Sequence, residues 1–153
     1  SFLCVLVGTP SPQYTPFPYT TLFRSKKGIF IELVIWENFI DAMSKTRLQD
    51  EYNNVVQHSD IFVSLFFTKV GKYTLEEFES ALGQFKKTGK PLVYTYFKDA
   101  AINTSALNRR DANSLFDFQE KLKELKHYQT VYKNIEDLQL HFKNQLEKVL
   151  PNL

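Results

Sequence analysis

The sequence predicts an α/β layer fold, an open parallel sheet of about five strands with helices on both faces. Three features predict it. Apolar and β-branched runs recur along the chain: IFIELVIW at residues 29–36, IFVSLFF at 61–67 and LVYTYF at 92–97. They are too continuous for half-exposed strands and fit strands covered on both faces. Between them lie segments whose apolar residues recur at helical spacing, and turn signals separate the two kinds of segment. Such alternation builds parallel strands joined by right-handed crossovers.

Taken in order, the strand at 29–36 is followed by a helix over 46–58, with Leu48, Tyr52, Val55 and Val56 at helical spacing. Residues 61–67 form the second strand. A helix over 74–87 carries Leu75, Phe78, Ala81, Leu82 and Phe85 on one stripe. Gly89 stops it, and Pro91 opens the strand at 92–97. A polar loop with Asn103, Thr104 and Ser105 leads to a helix over 111–125 and a short strand over 130–132. The last helix, 135–150, has Asn134 as its N-cap and Pro151 beyond it.

A flavodoxin-like strand order, 2-1-3-4-5, puts the first strand inside the sheet. The part from Lys26 onward supplies four strands, without an opening strand or first helix. The native first strand and helix are therefore expected to be missing, with the apolar run at 2–7 filling the slot. Residues 18–25, PYTTLFRS, fit no element: they lack apolar periodicity, a cap pattern and turn chemistry. Read back through ordinary codons, they resemble the end of a short-read sequencing adapter. Residues 1–25 are accordingly read as a non-native prefix and 26–153 as an N-terminally truncated α/β domain.

Composition narrows the function. The 153 residues are 43% hydrophobic and 24% charged, enough for one domain with a sizeable core. Aromatics reach 15%, so the core is expected to be built on large rings. A net charge of +2 with interspersed signs gives no basic stripe for nucleic acid. The single cysteine, Cys4, excludes a disulfide within the chain, and the apolar run around it is too short to span a bilayer. A cytoplasmic setting and no membrane partner are expected. His58, His127 and His141 share no ligand spacing, so no metal and no resident cofactor are expected.

Ligands of open α/β sheets bind at the carboxyl ends of the strands. That edge gathers Trp36 and Glu37, then Thr68, Lys69 and Tyr73, then Lys98 and Asp99. The helix after the second strand opens there, with Glu76 and Glu77 in its expected first turn. An ionised carboxylate at a helix N-terminus is favoured by the backbone amides and stabilises, or attacks, a sugar oxocarbenium ion. A competing structural role is a capping box, Thr74-Leu75-Glu76-Glu77, in which Glu77 returns to the Thr74 amide. Ser64 is expected to be a buried strand hydroxyl, and Arg109, Arg110 and Asp111 a solvated junction.

The stretch SDIFVSLFF, a loop, then YTLEEFESALGQFKKTGKPLVYTYF resembles bacterial TIR-like domains, which place a glutamate at the helix opening and a Gly-Lys-Pro-like turn before the next strand. Here the parts are Glu77-Phe78-Glu79-Ser80-Ala81 and Gly89-Lys90-Pro91. The resemblance implies a module of a bacterial defence or signalling protein. Glu77 would cleave the nicotinamide–ribose bond of NAD as substrate, Trp36 or Tyr73 would pack on the dinucleotide, and Thr68 and Lys69 would complete its pocket. It equally implies a non-catalytic adaptor that forms homo-oligomers through its helix and loop faces. The same residues are similar to nucleoside deoxyribosyltransferases, although Glu79 stands where that pattern has glycine. The Trp-Cys pair that precedes the TIR glutamate is replaced by Thr74-Leu75.

Overall fold

The computed structural model describes residues 2–8, 20–24, 30–35, 48–102 and 108–152. Among the described residues, six strands and four α-helices follow the order β1 (Phe2–Gly8), β2 (Thr20–Arg24), β3 (Phe30–Ile35), α1 (Leu48–His58), β4 (Ile61–Phe66), α2 (Lys72–Thr88), β5 (Leu92–Lys98), α3 (Arg109–Glu124), β6 (Gln129–Tyr132) and α4 (Ile135–Val149). The strands form one open sheet in the order β2-β3-β1-β4-β5-β6. This is the expected α/β class.

The strictly parallel ladder comprises β4, β5 and β6, in register from Ile61 opposite Leu92 and from Thr95 opposite Gln129. β1 is antiparallel to both β3 and β4, so β3 points the same way as the parallel ladder. All four strands expected after Lys26 thus share one direction, and β1 occupies the interior slot in reverse. An apolar strand requires burial but carries no signal of its direction, and antiparallel pairing needs no helical crossover. β2, which falls wholly within PYTTLFRS, adds an antiparallel edge strand on β3.

Side chains alternate between two faces, as the pleat requires. Val34, Phe62, Phe66 and Phe97 meet Val55 and Val56 of α1, Phe78 and Ala81 of α2, and Phe118 and Leu122 of α3. On the opposite face Ile61, Val63 and Tyr96 pack with Leu138, Phe142, Leu146 and Val149 of α4. Large rings dominate both layers. Phe118 lies 4.8 Å from Phe66 and 4.9 Å from Phe78, the second pair edge to face. Tyr96 sits under α4 with its hydroxyl 3.1 Å from His141 Nδ1. Burial, with help from Tyr94, pushes the Tyr96 phenol up to about 12.

Local chemistry fixes the helix ends. The Asn134 side chain accepts from the Asp137 amide at 2.8 Å, the N-cap expected from sequence. Asn108 caps α3 through the Arg110 amide at 2.8 Å. Gly89 ends α2 at φ 80°, its N–H donating to the Phe85 carbonyl. Lys126 ends α3 at φ 53°, where the His127 N–H reaches the Leu122 carbonyl and the Lys126 N–H the Lys123 carbonyl. These two bonds make a Schellman ending with lysine where glycine is the usual residue. Among the described residues no helix is long and apolar enough to cross a membrane.

Candidate functional site

The sheet directions place the carboxyl ends of β4 and β5 on one edge, and the β4–α2 connection crosses it. This connection carries Thr68, Lys69 and Val70 into Gly71, the N-cap of α2. The Val70 N–H donates to Ser114 Oγ at 3.1 Å, which ties the loop to the start of α3. Lys98 lies over the ring of Phe67, 5.2 Å from its centroid, so the ends of the two strands also meet. Lys69 is exposed, Thr68 half-buried, and Tyr73 60% exposed at the opening of α2.

Glu77 differs from its expected setting in two respects. α2 starts at Lys72, so no acidic residue lies in its first turn and Glu77 falls in the second. At ~1.5 Å of rise per residue it sits about 7–8 Å along the axis from the helix start. The macrodipole, which falls off within one turn, supports it less than a first-turn carboxylate. Thr74 also lies inside the helix, and the cap is Gly71, which makes no side-chain cap hydrogen bond. The capping box is therefore not the reason for this glutamate. Two residues upstream of Thr74 adopt helical geometry because Gly71 offers an extended N-cap without a competing side chain.

Glu77 is instead buried, at 3% exposure, on the side of α2 that packs toward the sheet with Phe78 and Ala81. Its neighbours in sequence turn elsewhere. Glu76 accepts from Asn53 of α1 at 3.2 Å, and Glu79 forms an ion pair with Lys121 of α3. Glu76 and Glu79, one turn apart, thus reach out to the neighbouring helices, whereas Glu77, about 100° round the helix from Glu76, turns inward. Ser64 of β4 lies on the sheet face that α2 covers, fully buried, its Oγ without a hydrogen-bond partner. The sequence places this hydroxyl inside the sheet but gives no sign that it would be unpartnered.

Of the residues singled out from sequence, Thr68, Lys69, Tyr73 and Glu77 are brought to one end of β4 and α2. Trp36 and Glu37 lie outside the described residues. Arg109, Arg110 and Asp111 do form a loop-to-helix junction. With Asn108, Asn113, Ser114 and Asp117, the two arginines edge an open surface depression of about 610 Å³ at the start of α3.

A second, more enclosed groove of about 450 Å³ lies at the opposite end of β5, between the last turns of α2 and α3. Leu92, Val93, Phe78, Leu82 and Leu125 line it, with Lys86, Lys126 and His127. Burial pushes the His127 imidazole below its ordinary range, and its Nε2 has no partner. No spacing in the sequence linked His127 to this groove, because it forms only when two helix endings converge. Glu77 lines neither depression.

Compared with protein families, characterised proteins and solved structures, the chain matches none.

Proposed function

We propose that this domain is TIR-like and acts on N-glycosidic bonds, with NAD as substrate and Glu77 as the carboxylate that meets the ribose. One observation supports the reading above the others. Glu77 is a nearly fully buried acid behind the ligand-binding edge of an open α/β sheet, and helix capping does not account for it. Buried carboxylates are rare without a specific role.

In this chemistry the C1′–N bond breaks heterolytically. The bonding pair leaves with the nicotinamide nitrogen, which becomes neutral, and positive charge develops over C1′ and the ring oxygen. Glu77 as carboxylate stabilises that charge; water adds at C1′ and releases a proton, giving ADP-ribose and nicotinamide. A carboxylate about 4 Å from the developing charge at an effective dielectric of about 20 contributes about 4 kcal/mol. That corresponds to about a thousandfold in rate. Tyr73 and Lys69, exposed near the opening of α2, would serve dinucleotide stacking and phosphate contact, and Trp36 would join them.

The test is nicotinamide release from NAD by the full chain and by Glu77→Gln, with far-UV circular dichroism confirming equal folding. Turnover in the parent and a loss of about a thousandfold in the variant are expected. Equal turnover, or none in the parent, overturns the assignment. A chain that assembles with concentration and never releases nicotinamide would belong to the adaptor class instead, and transfer of deoxyribose between bases would favour the transferase likeness.

A further inference from the structure

We infer that the groove between the last turns of α2 and α3 is a binding site for a small aromatic monocarboxylate, a ligand with a ring at one end and a carboxylate at the other. The lining divides in the same way. Phe78, Leu82, Phe85, Val93 and Leu125 form its apolar part. Phe85 remains 41% exposed, so a large ring is left uncovered at this place. The volume of about 450 Å³ lies within the range of about 300–1,000 Å³ that holds small organic ligands. A ligand ring can meet Phe78 and Phe85 edge to face or offset, which an aliphatic chain cannot.

The polar part offers donors only. Lys86 and Lys126 are exposed, enter no ion pair among the described residues, and share the groove with no acidic side chain. The Nε2 atom of His127 is buried without a hydrogen-bond partner, an unfavourable state that an oxygen of the ligand would relieve. As the protonated nitrogen of a neutral ring it donates. Val93 adds a backbone donor. The Leu92 N–H donates to the Asp60 carbonyl, so alternation turns the Val93 N–H away from β4. β6 starts too late to receive it, its first pair being Gln129 with Thr95.

A carboxylate is the group that fits this set. It only accepts, it takes several donors on two oxygens, and its charge is opposite to that of the two ammonium groups. An amine or a metal cation would meet like charge. The helix carbonyls that converge here are already engaged, which weakens their opposition to an anion. Phe85 accepts from the Gly89 N–H, Lys121 from Leu125, Leu122 from His127 and Lys123 from Lys126. The groove lies at the end of β5 away from Thr68 and Lys69, and Glu77 does not line it. The inference therefore stands or falls separately from NAD chemistry.

Amide NMR spectra of the isotope-labelled full chain, titrated with phenylbutyrate to about 10 mM, test the proposal; a ligand of this size binds with a millimolar Kd or tighter. Saturable shifts are expected at the Val93, Lys126 and His127 amides and none at Lys69. Phenylbutanol, with the same ring and chain but no charge, should bind at least about tenfold more weakly. Butyrate, with the charge but no ring, should give no saturable shift. Lys86→Gln and Lys126→Gln combined should weaken phenylbutyrate binding about tenfold. Lys87→Gln, exposed beside Lys86 but outside the lining, should leave it unchanged. No saturable shift with phenylbutyrate, or shifts centred on other residues, would overturn the proposal. So would phenylbutanol or butyrate binding as well as phenylbutyrate, a double variant that binds like the parent, or a Lys87→Gln loss as large as that of the double variant.

Discussion

Replacing Phe118 by alanine tests the packing that holds α3 to the sheet. Phe118 is 3% exposed and its ring contacts three others: Phe66 at 4.8 Å, Phe78 at 4.9 Å and Phe97 at 6.4 Å. These rings come from β4, α2 and β5, so a single side chain joins four elements. Returning most of the ring to water costs about 2 kcal/mol. A cavity of about 100 Å³ at about 24 cal/mol per Å³ adds about 2.4 kcal/mol, less whatever the walls recover by collapse. The sum is about 4 kcal/mol, against a total stability of about 5–15 kcal/mol for an ordinary domain.

Phe116, two residues earlier, provides the control. It lies on the same helix at 61% exposure, and its truncation should cost no more than about 0.5 kcal/mol. Urea unfolding followed by circular dichroism separates the two. With a slope of about 2 kcal/mol per molar, Phe118→Ala should lower the midpoint by about 2 M and Phe116→Ala by about 0.25 M or less. A Phe118→Ala loss below about 1 kcal/mol would mean the cluster does not carry α3. So would a Phe116→Ala loss of the same size.

Two further experiments follow from the helix endings and the groove at the amino edge. Gly89 and Lys126 both adopt left-handed geometry, at φ 80° and φ 53°, so exchanging the residue type should act with opposite signs. Gly89→Ala should destabilise by about 1 kcal/mol with no steric clash involved, since nothing lies within 4 Å of an added Cβ. Lys126→Gly should stabilise by about 0.5–1 kcal/mol in the same urea assay. His127 binds its proton less readily when folded than when unfolded, because burial disfavours the charged ring. The unfolded chain then holds more protons as pH falls below about 6.5, and stability declines from there until the folded imidazole also titrates. His127→Gln should flatten that decline below about pH 6.5, read from thermal midpoints at several pH values.

The eight elements expected after Lys26 are all present, with ends that differ by one or two residues. Periodicity is a sufficient guide where the core is layered, since a helix stripe such as Leu75, Phe78, Ala81 and Leu82 can face only one way. Capping at Asn134 was legible for the same local reason. Strand direction was not, because the run at 2–7 looks identical to a sheet whichever way it enters. The position of α2's first turn was not legible either: Thr74 and Glu77 satisfy the capping-box spacing, but Gly71 starts the helix earlier. That start, two residues early, puts Glu77 in the second turn instead of the first; its burial comes from the face of α2 that it occupies. The groove beside His127 arises from the convergence of two distant helix ends, which no window of sequence contains.

The reversed central strand bears directly on how the candidate site would work. In an open α/β sheet the ligand crevice lies between loops leaving the carboxyl ends of adjacent strands. β4 supplies such a loop, with Thr68 and Lys69, and then α2 with Glu77. β1 does not: Phe2 pairs with Ser64, so β1 brings its amino-terminal end to that edge rather than a departing loop and helix. One wall of the crevice would thus be built from the wrong end of a strand. Contacts to remote parts of a dinucleotide contribute binding, whereas a carboxylate facing C1′ contributes where charge develops. A site with the second and not the first would show a high KM with the Glu77 effect concentrated in kcat. If Glu77→Gln raised KM and left kcat unchanged, Glu77 would be holding the substrate rather than stabilising its transition state.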